Sequence, residues 1–367
     1  MKTKTIAVFG GCAVCALSGA QVSFTPIGAL GVGSSFTSEA FGISYDGQVA
    51  VGASQGASGF EPIKWTRSGG LTSLGMPATL GWAQGASSNG SVIAGRDYDS
   101  STGDHAWAWT QATGFTDLGS LPGTSNGVGN GISPDGSTIV GASDGSRVEA
   151  FRWTASSGIS ALGMGSGLAT NAFSASSNGS IIVGYDYYSN TGYEPMRWTQ
   201  ATGIVDMGFL PGDNLGMAYG VSSDGSTIVG FSGSHAFSWR AATGMVDLGF
   251  VPGSTLGIAT AASGDGSVIV GQDRDPSSGN LVAAFWRGGA AYSLSSYLEQ
   301  NGATGLSGWT LTTAGSVSGN GSTVVGYGID PAGYREGFVA TINPAPEPAT
   351  IAVLGLSMAA LLRKRRR

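Results

Sequence analysis

The chain has 367 residues, a formal net charge of −6, 41% apolar residues, 64 glycines and nine tryptophans. That much glycine without a three-residue period excludes collagen and a helical bundle, and the tryptophans exclude simple disorder. Seven of the 17 basic residues sit at the extreme ends, so ten face 23 acidic ones elsewhere, which excludes a nucleic-acid-binding surface.

Residues 1–20 read as a secretory signal peptide. Lys2 and Lys4 precede the apolar run IAVFGGCAVCAL, and Ser18-Gly19-Ala20 suits signal peptidase cleavage before Gln21. Both cysteines, Cys12 and Cys15, fall inside this leader. The body therefore has no thiol nucleophile, disulfide framework or Cys-ligated zinc.

Residues 21–342 are organised by one unit, seen best as SSDGSTIVG at residues 222–230. It recurs from Ser44, Ser87, Ser133, Ser176, Ser263 and Ser318, giving seven copies at spacings of 41 to 55 residues. In the copy around residues 206–240, four short strands are expected. The first lies near VDMGFLPG, the second near MAYGVS, the third is STIVG and the fourth is AFSW. Asp224-Gly225 makes a tight hairpin between the second and third. The fourth strand carries Trp65, Trp109, Trp153, Trp198, Trp239 and Trp286, with Phe338 expected in that place in the seventh copy.

Adjacent Ile228 and Val229 put apolar groups on both faces of the sheet, so both must be covered. Four strands in roughly 45 residues, repeated seven times, predict an all-β, seven-bladed β-propeller. Residues 24–31 (FTPIGALG) align with the expected first strand at Phe115-Thr116-Asp117-Leu118-Gly119. Two closures are open: an end blade shared between the termini, or seven in-phase blades whose first strand abuts the last. The repeat stretches after Trp286, where SLSSYLEQ at residues 293–300 predicts a short helix capped by Ser293 or Ser295. That segment is a decoration of the last blade or a lid over a ligand.

Residues 343–367 form a third region. After the proline-rich NPAPEP come 14 apolar or small residues, which span about 21 Å as a helix against a hydrocarbon core of about 30 Å. The cluster Arg363, Lys364, Arg365, Arg366 and Arg367 follows and should stay cytoplasmic, so the run inserts transiently in the inner membrane. Pro346-Glu347-Pro348, the apolar run and this cluster together resemble the PEP-CTERM sorting signal of Gram-negative and related bacteria. The resemblance implies an exosortase partner, cleavage near Pro-Glu-Pro, and delivery to the cell surface or exopolysaccharide matrix. In the body, His105-Ala106-Trp107 and His235-Ala236-Phe237 precede Trp109 and Trp239, then Asp117-Leu118-Gly119 and Asp247-Leu248-Gly249. These resemble the extracellular HAF repeat family, which implies an extracellular β-propeller-like protein. Most copies lack the histidine, as in Glu149-Ala150-Phe151.

Catalytic candidates are sparse. His105 and His235 share a repeat phase in different copies and read as strand-edge residues. Residues 123–127 match GxSxG but sit in a turn with no strand-to-helix elbow, and the glycines of residues 127–131 precede a strand, so neither carries a hydrolase or nucleotide site. Calcium, as the one candidate cofactor, would be held by loop carboxylates at alternate positions: Asp97 and Asp99, Asp186, and Asp273 and Asp275. Tyr98, Tyr187, Tyr188 and Tyr193 could stack on surface glycans. The expected function is a structural or ligand-binding component of the envelope or matrix. The alternatives are a carbohydrate-active hydrolase or lyase using loop carboxylates, or a calcium-dependent adhesin.

Overall fold

Serine, an acid or amide, and glycine at fixed spacing build the turn from which each repeat grows. In the computed structural model, which describes residues 22–342 apart from 32–36, 58 and 77–79, all seven turns share one pattern. In the fifth, the Gly225 N–H donates to the Ser222 carbonyl at 2.9 Å, with Gly225 at φ 74°. Asp224 Oδ1 accepts from Ser222 Oγ at 2.6 Å and from the Ser226 N–H at 2.8 Å. The serine Oγ then accepts the N–H five residues on, at 2.9–3.1 Å in every copy. All seven serines are buried. Side-chain acceptors thus satisfy turn amides that the sheet cannot reach. The hairpin closes from the Ser222 N–H to the Thr227 carbonyl, so it is wider than the tight turn expected.

Seven four-stranded antiparallel sheets follow, and they are blades 1 to 7. Blades 1 to 6 span residues 38–73, 80–117, 126–161, 169–206, 216–247 and 256–293, with strands a to d in chain order. Blade 7 takes strands a to c from residues 310–341 and strand d from the other end of the chain, Ser23–Pro26. There Ser23 pairs with Thr341 and Pro26 with Phe338. The a strands of neighbouring blades lie side by side around the ring. A closed seven-bladed β-propeller is therefore observed, sealed by an end blade shared between the two ends.

Two strand assignments are corrected. The segment expected as a first strand is strand d of the preceding blade: Gly203–Asp206 pairs with Gly192–Thr199 of blade 4. The short turn after each tryptophan folds the chain straight back on its own strand, whereas the Leu-Pro-Gly stretch is the crossover to the next blade. Second, Trp239 stands opposite Ile228, and the equivalent pair in blade 7 is Ala340 opposite Val324. Phe338 faces Gly326, the place that Phe237 holds opposite Gly230. The predicted leader and sorting signal lie outside the described residues.

The apolar pair on strand b works as expected. Val229 faces blade 6, among Ala259, Ile269 and Trp286, while Ile228 faces blade 4, among Val183 and Leu210. Each blade interface holds such a cluster, so the core is seven slabs between blades. The predicted helix, α1, runs Leu294–Gln300 with Ser293 as its N-cap. Leu294 and Leu298 are fully buried between blades 6 and 7, which ties α1 into the wall as part of the fold.

Candidate functional site

Each blade contributes to the axis through one defect in its sheet. The a–b register shifts at the same place in every blade and there leaves one residue of strand a without a partner; blade 7 has a second shift, at Thr312. Those residues are Phe41, Gln84, Asn130, Phe173, Tyr219, Thr260 and Gly315. Opposite each bulge, strand b has the glycine that closes the repeat motif: Gly52, Gly95, Gly141, Gly184, Gly230, Gly271 and Gly326. A Cβ at any of them would collide with a strand a carbonyl oxygen. The glycine lets the two backbones close together, and the bulge re-aims one side chain towards the axis.

All seven bulged residues line an axial cavity of about 670 Å³. This is within the range of small-molecule sites, about 300–1,000 Å³. Its wall mixes aromatic rings with amides and hydroxyls. Phe173 lies 5.2 Å from Tyr219, centroid to centroid, and 5.7 Å from Tyr185. Phe41 meets Tyr327 edge-on at 6.4 Å. Asn130 Nδ2 donates to Asn171 Oδ1 at 2.7 Å, and Thr313 Oγ1 donates to Gln272 Oε1 at 2.8 Å. Arg96 is the one charged residue in the lining among the described residues. Burial raises the Tyr185 and Tyr219 hydroxyls above the ordinary tyrosine range, so both stay protonated donors at neutral pH.

The predicted tyrosines fall in three places. Tyr187 packs on Tyr193 at 5.1 Å, and Tyr193 on Tyr185 at 4.8 Å, so both extend the run that reaches Phe173 in the cavity wall. Tyr188 donates its hydroxyl to Asp206 at 2.5 Å, and Tyr98 stands exposed on blade 2. Burial, then the bond to Asp206 and its charge, pushes the Tyr188 hydroxyl strongly up.

The predicted calcium ligands are not brought together. Asp97, Asp186 and Asp273 occupy one repeat position in blades 2, 4 and 6, with Ser54, Ser143 and Ser232 equivalent in blades 1, 3 and 5. Five of these side chains anchor the crossovers. Ser54 accepts from the Leu30 N–H, Ser143 from Leu121 and Ser232 from Leu210, each at 3.0 Å. Asp273 accepts from Val251 at 2.5 Å, and Asp186 from Gly167 at 3.0 Å. Burial raises Asp273 to about 6 against the lowering by that Val251 N–H. Burial also raises Asp186; the Gly167 N–H opposes this and the Asp206 charge adds to it. Asp99 and Asp275 instead cap exposed turns, taking donors from Ser101, and from Ser277 and Ser278. The serine hydroxyls hold Asp275 down at about 2. Asp275 also borders a perimeter groove of about 940 Å³ beside α1. Among the described residues, no three His, Cys, Asp or Glu are grouped to hold a metal ion.

His105 and His235 lie in blades 2 and 5, each beside its own carboxylate, Asp97 at 3.8 Å and Asp213 at 3.7 Å. The glycines of residues 127–131 form strand a of blade 3, where Gly129 and Gly131 let the backbone approach blades 2 and 4.

The cavity-lining residues escaped the sequence reading. A signal existed: in every copy the bulged residue lies three places before the motif serine. It is the variable position in a frame of small residues, as in AFGIS, AQGAS, GNGIS and AYGVS.

No family model and no curated protein matches this chain. Among solved structures it is similar to an oligogalacturonate lyase in complex with manganese, at 12% identity and TM-score 0.58, covering 88% of this chain and 96% of that one. An oligogalacturonate lyase from Vibrio parahaemolyticus aligns at 9% identity and TM-score 0.57, over 88% of this chain and 97% of that one. TolB from Acinetobacter baumannii aligns at 12% identity and TM-score 0.49, over 82% of this chain; this chain spans 65% of that one. The likeness is one of fold: this chain is a β-propeller.

Proposed function

We propose that the protein is exported, sorted to the cell surface or extracellular matrix, and binds saccharide there through the axial cavity of its propeller. The cavity wall carries this reading. Aromatic faces suit the apolar faces of sugar rings, and fixed amides and hydroxyls suit their hydroxyl groups. Phe173, Tyr219, Phe41 and Tyr327 supply the first kind of surface, and Gln84, Asn130, Asn171 and Gln272 the second. Of the tyrosines singled out in the sequence, Tyr187 and Tyr193 contribute through the aromatic run behind Phe173. Two fold relatives act on a saccharide by name, though that likeness alone carries no activity across. Among the described residues the lining contains no aspartate, glutamate or histidine, so this wall offers recognition chemistry in place of the converging carboxylate pair that glycoside hydrolysis uses.

Export rests on the leader at residues 1–20. Sorting rests on Pro346-Glu347-Pro348, the apolar run and the terminal basic cluster, with signal peptidase and an exosortase as transient partners. A glycan-array screen of residues 22–342, which contain every blade of the closed ring, tests the binding half. The expected result is a set of saccharide hits that weaken on Phe173→Ala and Tyr219→Ala. An array with no hit, with or without calcium, would leave a structural scaffold as the reading. Fractionation of cells expressing the full chain with Pro346→Ala and Glu347→Ala tests sorting, with loss of surface protein expected.

A further inference from the structure

Register gives each blade one strand b residue just beyond its glycine: Ala53, Arg96, Ala142, Tyr185, Phe231, Gln272 and Tyr327. Their chemistry is lopsided. Blades 4 to 7 present three aromatic rings and an amide. Blades 1 to 3 present a single arginine between two alanines, the smallest side chains of the set. Of the seven, Arg96, Gln272 and Tyr327 line the cavity, so its wall sets one cation among aromatic rings and amides.

Arg96 has no acid to balance it. Its guanidinium lies over the Trp82 ring at 5.4 Å, and Trp82 in turn stacks on Phe60 at 6.3 Å. Among the described residues no carboxylate comes within 4.0 Å of it. Its Nε is buried and makes no hydrogen bond. A buried guanidinium donor without an acceptor is costly, and a planar fork held against an indole is preorganised for a carboxylate. Gln84 and Asn130, the bulged residues of blades 2 and 3, place amides in the same wall.

We infer that the axial cavity takes a carboxylate-bearing saccharide, with Arg96 meeting the acid group and the aromatic wall meeting the sugar ring. This rests on the saccharide-binding reading above and adds the charge of the ligand.

Titration calorimetry on residues 22–342 tests it, with a hexuronate trisaccharide, the matching neutral hexose trisaccharide, and acetate as a free acid. The acidic trisaccharide is expected to bind at least about tenfold tighter than the neutral one, because charge-assisted bonds to arginine outweigh neutral ones. Acetate should bind far more weakly than either sugar. Arg96→Gln should reduce the acid-to-neutral ratio to about one, while Arg96→Lys, a point charge without the fork, keeps part of it. Equal binding of the two trisaccharides by the unaltered chain would overturn this inference and leave saccharide binding standing. Binding of neither would overturn both readings. A preference that survives in Arg96→Gln, or acetate matching the acidic sugar, would remove Arg96 or the sugar ring from the account. The inference also stands without variants: salt should weaken the acidic ligand's binding and leave the neutral ligand's in place.

Discussion

The Gly319 N–H donates to the Tyr45 carbonyl at 2.8 Å and joins the turn of blade 7 to that of blade 1. It is one link of a circuit. Asp46 donates to Ser88, Ser88 to Pro134, Asp135 to Ser177, Ser177 to Ser223, Asp224 to Gly264 and Gly264 to Gly319, through backbone N–H and carbonyl groups at 2.6–3.1 Å. Every acceptor is the residue after the motif serine. In blades 1, 3 and 5 the donor lies one place further on, at Asp46, Asp135 and Asp224; in blade 3 the preceding Pro134 has no N–H to offer. The Tyr45 ring lies against Gly264 and Gly319, the two glycines among these seven positions, where any Cβ would press on it. Backbone bonds thus carry the ring across all seven joints at this end, the shared blade included.

Closure at the shared blade should depend on Phe24. It lies 5.1 Å from Trp309 and 5.7 Å from Phe338, and it brings strand d of blade 7 into the core beside α1. Phe24→Ala is expected to cost about 3 kcal/mol, the low end for a buried phenylalanine at the edge of a core. Urea unfolding followed by tryptophan fluorescence measures the loss. A change under about 0.5 kcal/mol would mean that the strand contributes little to closure.

The turn separates serine from its acid partner. Ser222→Ala removes the acceptor of the Thr227 N–H inside the protein and should cost about 1–3 kcal/mol. Asp224→Asn should be nearly neutral at pH 7, because Asn89, Asn178 and Asn320 already make the same bonds. Burial would raise Asp135, Asp224 and Asp265, but hydrogen bonds from the flanking serines outweigh it and hold them below the ordinary range. Melting temperatures of the two variants should therefore differ clearly, with the serine variant the lower.

Gly230→Ala and Gly244→Asn test two kinds of glycine. At Gly230 a Cβ would meet the Met217 carbonyl across the bulge, so alanine should shift the backbone and cost more than about 3 kcal/mol. Gly244 has φ 71° with open space around it, and asparagine tolerates that region, so the cost should stay under about 1 kcal/mol. Soluble yield and circular dichroism melts compare the two.

Asp273 sets a pH dependence of its own. Its folded value of about 6 lies above its ordinary 3.8, so the folded state holds the proton more tightly than the unfolded chain. Its contribution is complete below about pH 4 and is lost as pH rises through 6, a change of about 3 kcal/mol. Asp273→Asn keeps an acceptor for the Val251 N–H and removes the titration. The variant should gain stability over the parent between pH 4 and pH 7, read as the difference in melting temperature at each pH. A constant difference across that range would show that Asp273 is not the group that titrates.

The chain by itself determined the turns, the number of blades and the apolar pair on strand b, because these are repeated seven times and each depends on local geometry. Asp224-Gly225 had to make a turn, and Ile228-Val229 had to be covered on both faces. The strand phase is not legible in the sequence, because a glycine turn and a Leu-Pro-Gly crossover look alike until hydrogen-bond partners are known. Asp186 and Asp273 resemble ligands in the sequence because a crossover anchor and a metal ligand need the same oxygen. Only the tertiary structure decided the candidate site. Phe41, Gln84, Arg96, Asn130, Phe173 and Tyr219 come from five blades and have no residue type common to all, so periodicity, which reports what repeats, passes over them. They become one surface when seven bulges point at one axis, and that axis exists only once Ser23–Pro26 closes the ring.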